Sequence, residues 1–261
     1  MTKIYSPIDR IYYQGEWPDV VSIDWRPSPK LSPKASQIEF DDFFDSDIGP
    51  RFPSLRSLSF HFPVRDLSAL NQYVTLQKLK CNGCSVKELP SEKLVNLTHL
   101  ECRSNNISMI PEYPRLQFLD CSYNRLGSLT SYDGLPRTLV RLVATNCDLG
   151  RKIRVHYPHL THLDIRNNRI DKADRNVFDN HIEEIDLDAP LLKHVYCNGN
   201  QLRSTRCFAG CQFLEYLMCC DNPLEDLDGL GELEHLKEVY ACRGLVPTDV
   251  PSGDHKYLLI N

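Results

Sequence analysis

No run of apolar residues in this 261-residue chain approaches the ~18 that a membrane-spanning helix needs, so no transmembrane segment is expected. Charge of one sign is lacking too. Thirty Lys and Arg stand against 35 Asp and Glu, a formal net charge of −5, which argues against a general nucleic-acid scaffold. The opening MTKIYSPIDRIYYQGEWPD has charges at Lys3, Asp9, Arg10 and Glu16 and lacks the apolar core of a secretory leader. An intracellular, reducing compartment is therefore expected. Glycine is sparse, at 12, and no phosphate-cradling glycine loop, HExxH helix or Ser/His/Asp order stands out. Leucine is almost missing from the start of the chain: of 35, only Leu31 precedes residue 55. Proline has the opposite bias, with 7 of 17 in the first 53 residues, where both Trp17 and Trp25 also lie. A composition boundary thus falls near residue 50. What is present, 41% hydrophobic and 25% charged residues, excludes disorder over the whole chain.

The leucine-rich part repeats one frame: apolar, two variable, apolar, one variable, apolar, two variable, Asn or Cys, one variable, apolar. It is clearest in LTHLECRSNNI (97–107), LQFLDCSYNRL (116–126), LTHLDIRNNRI (160–170), LKHVYCNGNQL (192–202) and LEYLMCCDNPL (214–224). LQKLKCNGCSV (76–86) and LVRLVATNCDL (139–149) carry Cys in the Asn position, and weaker copies begin at Leu55, Ile182 and Leu236. Starts at 55, 76, 97, 116, 139 and 160 are 19 to 23 residues apart, and those at 192, 214 and 236 are 22 apart. The step from 160 to 192 is 32, so the Ile182 copy reads as a truncated coil or as part of an insertion.

The frame resembles the consensus LxxLxLxxNxL of the leucine-rich repeat family, over roughly residues 55–246. The 20–22-residue repeats are similar to the short ones of bacteria, amoebae and large DNA viruses. The resemblance implies an α/β-type solenoid, a horseshoe with a parallel β-sheet on its concave face and mostly irregular or 3-10 convex returns. It also implies a partner surface on the concave face. Residues 1–54 read as an N-terminal cap or divergent coils, 55–246 as the solenoid, and 247–261 as a C-terminal cap or tail.

Physical chemistry gives the same frame. Alternating apolar residues make a short strand that cannot bury its own apolar face, so coils must stack into a shared core. Leu100, Leu119 and Leu163 are expected in that core. Asn105, Asn124, Asn168, Asn200 and Asn222 follow the strands where the chain turns, and an amide with two donors and an acceptor can satisfy backbone groups of two coils. Cys84 and Cys147 take that place as small buried residues. Asn96-Leu97-Thr98 and Asn106-Ile107-Ser108 are formal glycosylation sequons, read here as chance matches.

Eleven cysteines raise the question of zinc, but Cys81-Asn-Gly-Cys84 lacks a second pair at comparable spacing, and the repeat accounts for both residues. Five (Cys81, Cys102, Cys121, Cys197, Cys219) fill one inward slot, while Cys220 and Cys242 fill an outward one. His99, His162 and His194 share an outward slot on different coils, and no metal site is expected from them. Glu101 and Asp120, about 5 Å apart on consecutive strands, match the carboxylate separation of retaining glycosidases. An open sheet gives little desolvation, however, and Lys80 and Arg103 are expected beside them. No enzyme activity, cofactor, metal or small-molecule substrate is expected.

The outward slots suggest what remains. One reads Ser59, Lys80, Glu101, Asp120, Val143, Asp164, Asp186, Tyr196, Met218, Tyr240; the one before it reads Ser57, Lys78, His99, Phe118, Arg141, His162, Glu184, His194, Tyr216, Glu238. The charged middle places Arg103, Arg141 and Arg166 against Asp120 and Asp164. The C-terminal third clusters Tyr196, Tyr216, Met218 and Tyr240, residue types enriched where protein interfaces are tight. The expectation is a monomeric, non-catalytic scaffold that binds a protein partner through these residues together with Phe118 and His162, without contact to nucleic acid or membrane. The alternative is a structural component of a larger assembly such as a virion.

Overall fold

Every repeat turns its alternation into a short strand whose central apolar residue points inward. The computed structural model describes residues 3–5, 21–25, 33–44, 52–90, 93–126, 135–167, 182–242 and 256–260. The chain divides into two units, Met1–Asn124 with Gly134–Pro136, and Arg125–Asp133 with Arg137–Asn261.

In the first unit, β1 (Lys3–Tyr5), β2 (Ser22–Trp25), β3 (Ser57–Phe60), β4 (Lys78–Lys80), β5 (His99–Glu101) and β6 (Phe118–Asp120) pair in sequence order, all parallel. Leu58, Leu79, Leu100 and Leu119 stand in register across β3 to β6 and are fully buried. Helix α1 (Pro33–Phe44) lies between β2 and β3 in the chain and begins with proline, whose fixed φ suits the first helical position. Its Phe40 and Phe44 pack on Phe60 and Tyr73, with ring centroids 5.3 and 5.5 Å apart. Gln37 fixes the helix by acting like a peptide group. Its Oε1 accepts from the Arg65 and Asp66 amides at 2.8 and 3.1 Å, and its Nε2 donates to the Asp66 carbonyl at 2.9 Å. The Tyr73 hydroxyl and Gln72 amide satisfy the Phe44 carbonyl at the helix end.

In the second unit, β7 (Arg141–Val143), β9 (His162–Asp164), β11 (His194–Tyr196), β12 (Tyr216–Met218), β13 (Glu238–Cys242) and β14 (Lys256–Ile260) form the parallel sheet. Leu142, Leu163, Val195, Leu217 and Val239 are in register and at most 2% exposed. A separate parallel pair joins β8 (Lys152–His156) to β10 (Glu184–Asp188). This corrects the placement of Glu184 and Asp186 in the outward slots of the main sheet. β9 pairs directly with β11, and the Ile182 copy supplies β10 instead. The cause lies in matched alternation: Ile153, Val155 and Ile185 face inward, and Lys152–Glu184 and Arg154–Asp186 face each other outside. Elsewhere the returns include 3-10 turns at Ser68–Gln72 and Arg206–Phe208, as the repeat family implies.

Most described coils enter their strand through one device. The amide of the repeat's first leucine donates to the carbonyl three residues back, as in Leu76 to Tyr73, Leu97 to Leu94 and Leu116 to Tyr113 in the first unit, and Leu160 to Tyr157 and Leu236 to Leu233 in the second. The accepting residue is buried each time.

Each coil leaves its strand through the asparagine position. Asn105 Oδ1 accepts from the Cys84 and Val86 amides at 2.9 and 3.0 Å, while Nδ2 donates to the Cys81, Cys102 and Arg103 carbonyls. Asn124 accepts from Ile107 and donates to the Cys102, Cys121 and Ser122 carbonyls. Asn200 donates to the Ile165 and Cys197 carbonyls, and Asn222 accepts from Leu202 and donates to Cys197, Cys219 and Cys220. Asn168 lies outside the described residues. The Cys84 thiol donates to the Phe60 and Asn82 carbonyls, and that of Cys147 to Thr145.

The residue just before this position is left-handed in coil after coil: Gly83, Ser104, Tyr123, Asn146, Asn167, Gly199 and Asp221, with φ between 52 and 69°. Glycine, asparagine and aspartate tolerate that region best. At Gly199 (φ 69°) a Cβ would also stand 2.5 Å from Asn167 Oδ1. Gly199→Ala is therefore expected to cost about 1–2 kcal/mol in urea unfolding. Gly83→Ala, with open space around its added Cβ, carries the backbone part only. Equal loss at the two sites would show that Asn167 simply swings aside.

Candidate functional site

Strand side chains that alternate away from the core make one outward face in each unit. On the first unit, β5 and β6 set the His99 ring against Phe118, stacked at 4.1 Å and 6°. Glu101 receives Lys80 at 2.8 Å and His99 at 2.9 Å, and Arg103 lies 3.5 Å from the buried Asp120. Partial burial pushes the Glu101 carboxyl up, but hydrogen bonds from Lys80 and His99 outweigh it and hold the group below its ordinary value. A glycosidase-type acid needs the opposite shift. Glu101 and Asp120 are register partners, as the repeat predicts, yet each is tied to its own cation.

On the second unit, Tyr196, Tyr216 and Tyr240 stand on β11, β12 and β13. Their ring centroids are 5.1 and 5.3 Å apart and tilted by about 40°. Met218 lies in register between Tyr196 and Tyr240. All four are half-buried, so the group forms a ridge with one side still open to solvent. Arg166 grips Asp164 with two bonds, 2.7 and 2.9 Å, and its guanidinium carbon sits 5.3 Å from the Tyr196 ring centre. The Tyr240 hydroxyl donates to Glu238 at 3.0 Å. Burial followed by the neighbouring phenols raises the Tyr216 hydroxyl, and the bond to Glu238 raises that of Tyr240. Both phenols are neutral donors at physiological pH.

Of the residues expected to bind a partner, Phe118, Arg103 and Asp120 belong to the first unit's face. Arg141, His162, Asp164, Tyr196, Tyr216, Met218 and Tyr240 belong to the second. His162 and His194 are register partners whose rings stack at 4.5 Å and 15°, a neighbour relation that placing the Ile182 copy between them conceals. The 32-residue step was the signal available. Arg166 and Lys193 complete this end of the face.

Cys81, Cys84, Cys197, Cys207 and Cys211 carry little reactivity. Burial pushes the Cys84 and Cys207 thiols up to about 12 and Cys211 up to about 11, and those of Cys81 and Cys197 well above the ordinary value. At neutral pH these are protonated thiols, neither nucleophiles nor ready ligands. Cys220 is half-buried on the outward face; the Cys242 side chain lies outside the described residues. Among the described residues no group of three or more His, Cys, Asp or Glu could hold a metal ion, and no helix is long and apolar enough to cross a membrane.

Stacked parallel strands, a side-chain ladder that closes the described coils and short returns together define a leucine-rich repeat fold. No protein-family model matches the chain. A leucine-rich repeat protein of Acanthamoeba polyphaga mimivirus is 29% identical over 112 residues, which are 42% of this chain and 25% of the relative. The chain thus spans about a quarter of that relative's length. Among solved structures, a TLR13–ssRNA13 complex matches 92% of this chain and 43% of its own at TM-score 0.52 and 16% identity. The functional domain of InlJ from Listeria monocytogenes matches 74% of this chain and 45% of its own at TM-score 0.48 and 24% identity. The TLR13 likeness shows the fold. Leucine-rich repeat proteins generally mediate protein–protein interactions.

Proposed function

We propose that the protein is a non-catalytic interaction scaffold whose second unit docks a protein partner on the outward sheet face. Tyr196, Tyr216, Met218 and Tyr240 are the anchors. The observation that carries this reading is the half-exposed ridge of three tyrosines and a methionine on successive strands, since large aromatic side chains dominate interface energetics. Arg141, His162 and Asp164 steer and orient the partner from one side, and Phe118, Arg103 and Asp120 form a separate candidate surface on the first unit. The buried protonated thiols support a reducing compartment. In this reading residues 1–54 are an N-terminal cap or divergent coils and 247–261 a C-terminal cap or tail.

Affinity purification of tagged protein from its native cell, followed by mass spectrometry, tests the proposal. Tyr216→Ala combined with Met218→Ala is expected to reduce capture of a specific protein at least about 30-fold. Undiminished capture would place the interface elsewhere. The viral relative supports a second reading, a component of a larger assembly such as a virion. Incorporation into purified particles at fixed stoichiometry would favour it over a soluble scaffold.

A further inference from the structure

The tyrosine ridge is held at both ends by groups that are not part of it. Asp164 on β9 is the register partner of Tyr196 on β11, and Arg166 follows two residues further on. The Arg166 guanidinium donates to both Asp164 oxygens, through Nε at 2.9 Å and Nη2 at 2.7 Å, and its backbone amide donates to Oδ1 at 3.3 Å. Two parallel bonds to one carboxylate give the planar group a fixed direction. That direction lays its carbon over the Tyr196 ring, 5.3 Å from the centre. At the other end the Tyr240 hydroxyl donates to Glu238 Oε2 at 3.0 Å, and Glu238 is the register partner of Tyr216. Tyr216 stands between the two held rings, 5.1 Å from Tyr196 and 5.3 Å from Tyr240 by centroid.

A tyrosine on an outward sheet face turns about its side-chain torsions, and a partner that docks on it must first stop that motion. Rings in mutual contact move as a set, so fixing the end members fixes the row. The Asp164 side chain is 14% exposed against 40% for Arg166, so the carboxylate end of the clamp is sheltered from water and salt. The order of the ridge therefore has a source in the chain itself, before any partner arrives.

Building on the docking face proposed above, we infer that Arg166 is a positioning residue of that face. Clamped by Asp164, it holds Tyr196 in place and, through that ring, keeps Tyr216 and Tyr240 in the row that a partner meets. The partner finds its anchors already ordered, and the ridge acts as a rigid edge rather than an adaptable patch. Lysine cannot take this place. Its ammonium is a point charge without the planar fork that grips a carboxylate and lies flat on a ring at once.

Near-ultraviolet circular dichroism of the full chain tests this in the free protein, because it reports fixed side-chain packing. The wild-type spectrum minus that of Tyr196→Leu gives the signal of the row. Arg166→Gln is expected to lose at least about half of that signal while keeping the urea midpoint, and Arg166→Lys to lose as much. In the Tyr196→Leu background, Arg166→Gln should change the spectrum no further, since both substitutions then act on one contact. Asp164→Asn leaves Arg166 its charge but loosens the grip; it should weaken the signal in the same way, and it serves if Arg166→Gln does not fold. An unaltered spectrum in Arg166→Gln, recovery in Arg166→Lys, or an equal change in the Tyr196→Leu background overturns the inference. The protein captured through Tyr216 and Met218 supplies the binding arm: Arg166→Gln is expected to speed its dissociation at least about fivefold. Unchanged dissociation from a disordered row, or faster dissociation from an intact one, overturns the positioning role as well. A wild-type chain that captures nothing through Tyr216 and Met218 sinks the docking reading, while the spectra still show whether Arg166 orders the row, so the two proposals fail separately.

Discussion

Asn105→Ala is expected to lower the unfolding free energy by about 2–6 kcal/mol, seen as a shift of the urea midpoint with little change in slope. The reason is accountancy of hydrogen bonds rather than packing. The Cys84 and Val86 amides have the Asn105 oxygen as their acceptor, and the Cys81, Cys102 and Arg103 carbonyls receive its nitrogen. Truncation to a methyl group orphans two buried donors at once, at about 1–3 kcal/mol each. Asn105→Asp keeps the acceptor but sets a carboxylate against three carbonyl oxygens, so it should be no better than alanine. Asn105→Cys should fall between, because Cys84 shows a thiol donating to two carbonyls in the same place one coil away. A shift of less than about 1 kcal/mol for the alanine variant would mean that water replaces the amide.

Leu163→Ala should cost about 2–5 kcal/mol. Leu163 is fully buried, with Leu142 on one side and Val195 on the other in the inward row of the second unit's sheet. Its loss combines lost transfer energy with a cavity bounded by both neighbouring coils, and a stack held in register by hydrogen bonds has little freedom to collapse into it. The same substitution at half-exposed Met218 removes a comparable side chain with a much smaller loss. The contrast between the two in one thermal or urea series separates core from face. An unchanged midpoint for Leu163→Ala would contradict the inward row itself.

The repeat made Leu100, Leu119 and Leu163 legible as core before any coordinates, because period-two alternation leaves only one face to bury. The tyrosines and Met218 were legible as neighbours for the same reason: equal slots in successive copies become register partners. Legibility ended where the period broke. KIRVH and EIDLD each alternate, but local alternation does not say which sheet a strand joins, and cross-strand pairs such as Arg154 with Asp186 decide it over 32 residues. That pairing removed a coil between His162 and His194 and brought two imidazoles together. The left-handed residues were half visible: Gly83, Asn146, Asn167, Gly199 and Asp221 are of types that tolerate positive φ, whereas Ser104 and Tyr123 are held there by the closure of the coil. Helix α1 was not read at all. No leucine frame crosses residues 33–44, and its place is set by long-range contacts of Phe40, Phe44 and Gln37.

The direct union of β9 with β11 has a consequence for how such a chain could change over time. The sheet passes over the stretch that holds β10 as if nothing intervened, since the backbone ladder from Ile165 to Tyr196 and from Asn167 to Asn198 is complete without it. Material spliced in at that junction need satisfy only its own strand mate and the coil that follows, as Ile182 does through the Gln201 amide. A lineage could lengthen, shorten or decorate the excursion while the outward columns on either side kept their alignment, so novelty there need not disturb the face.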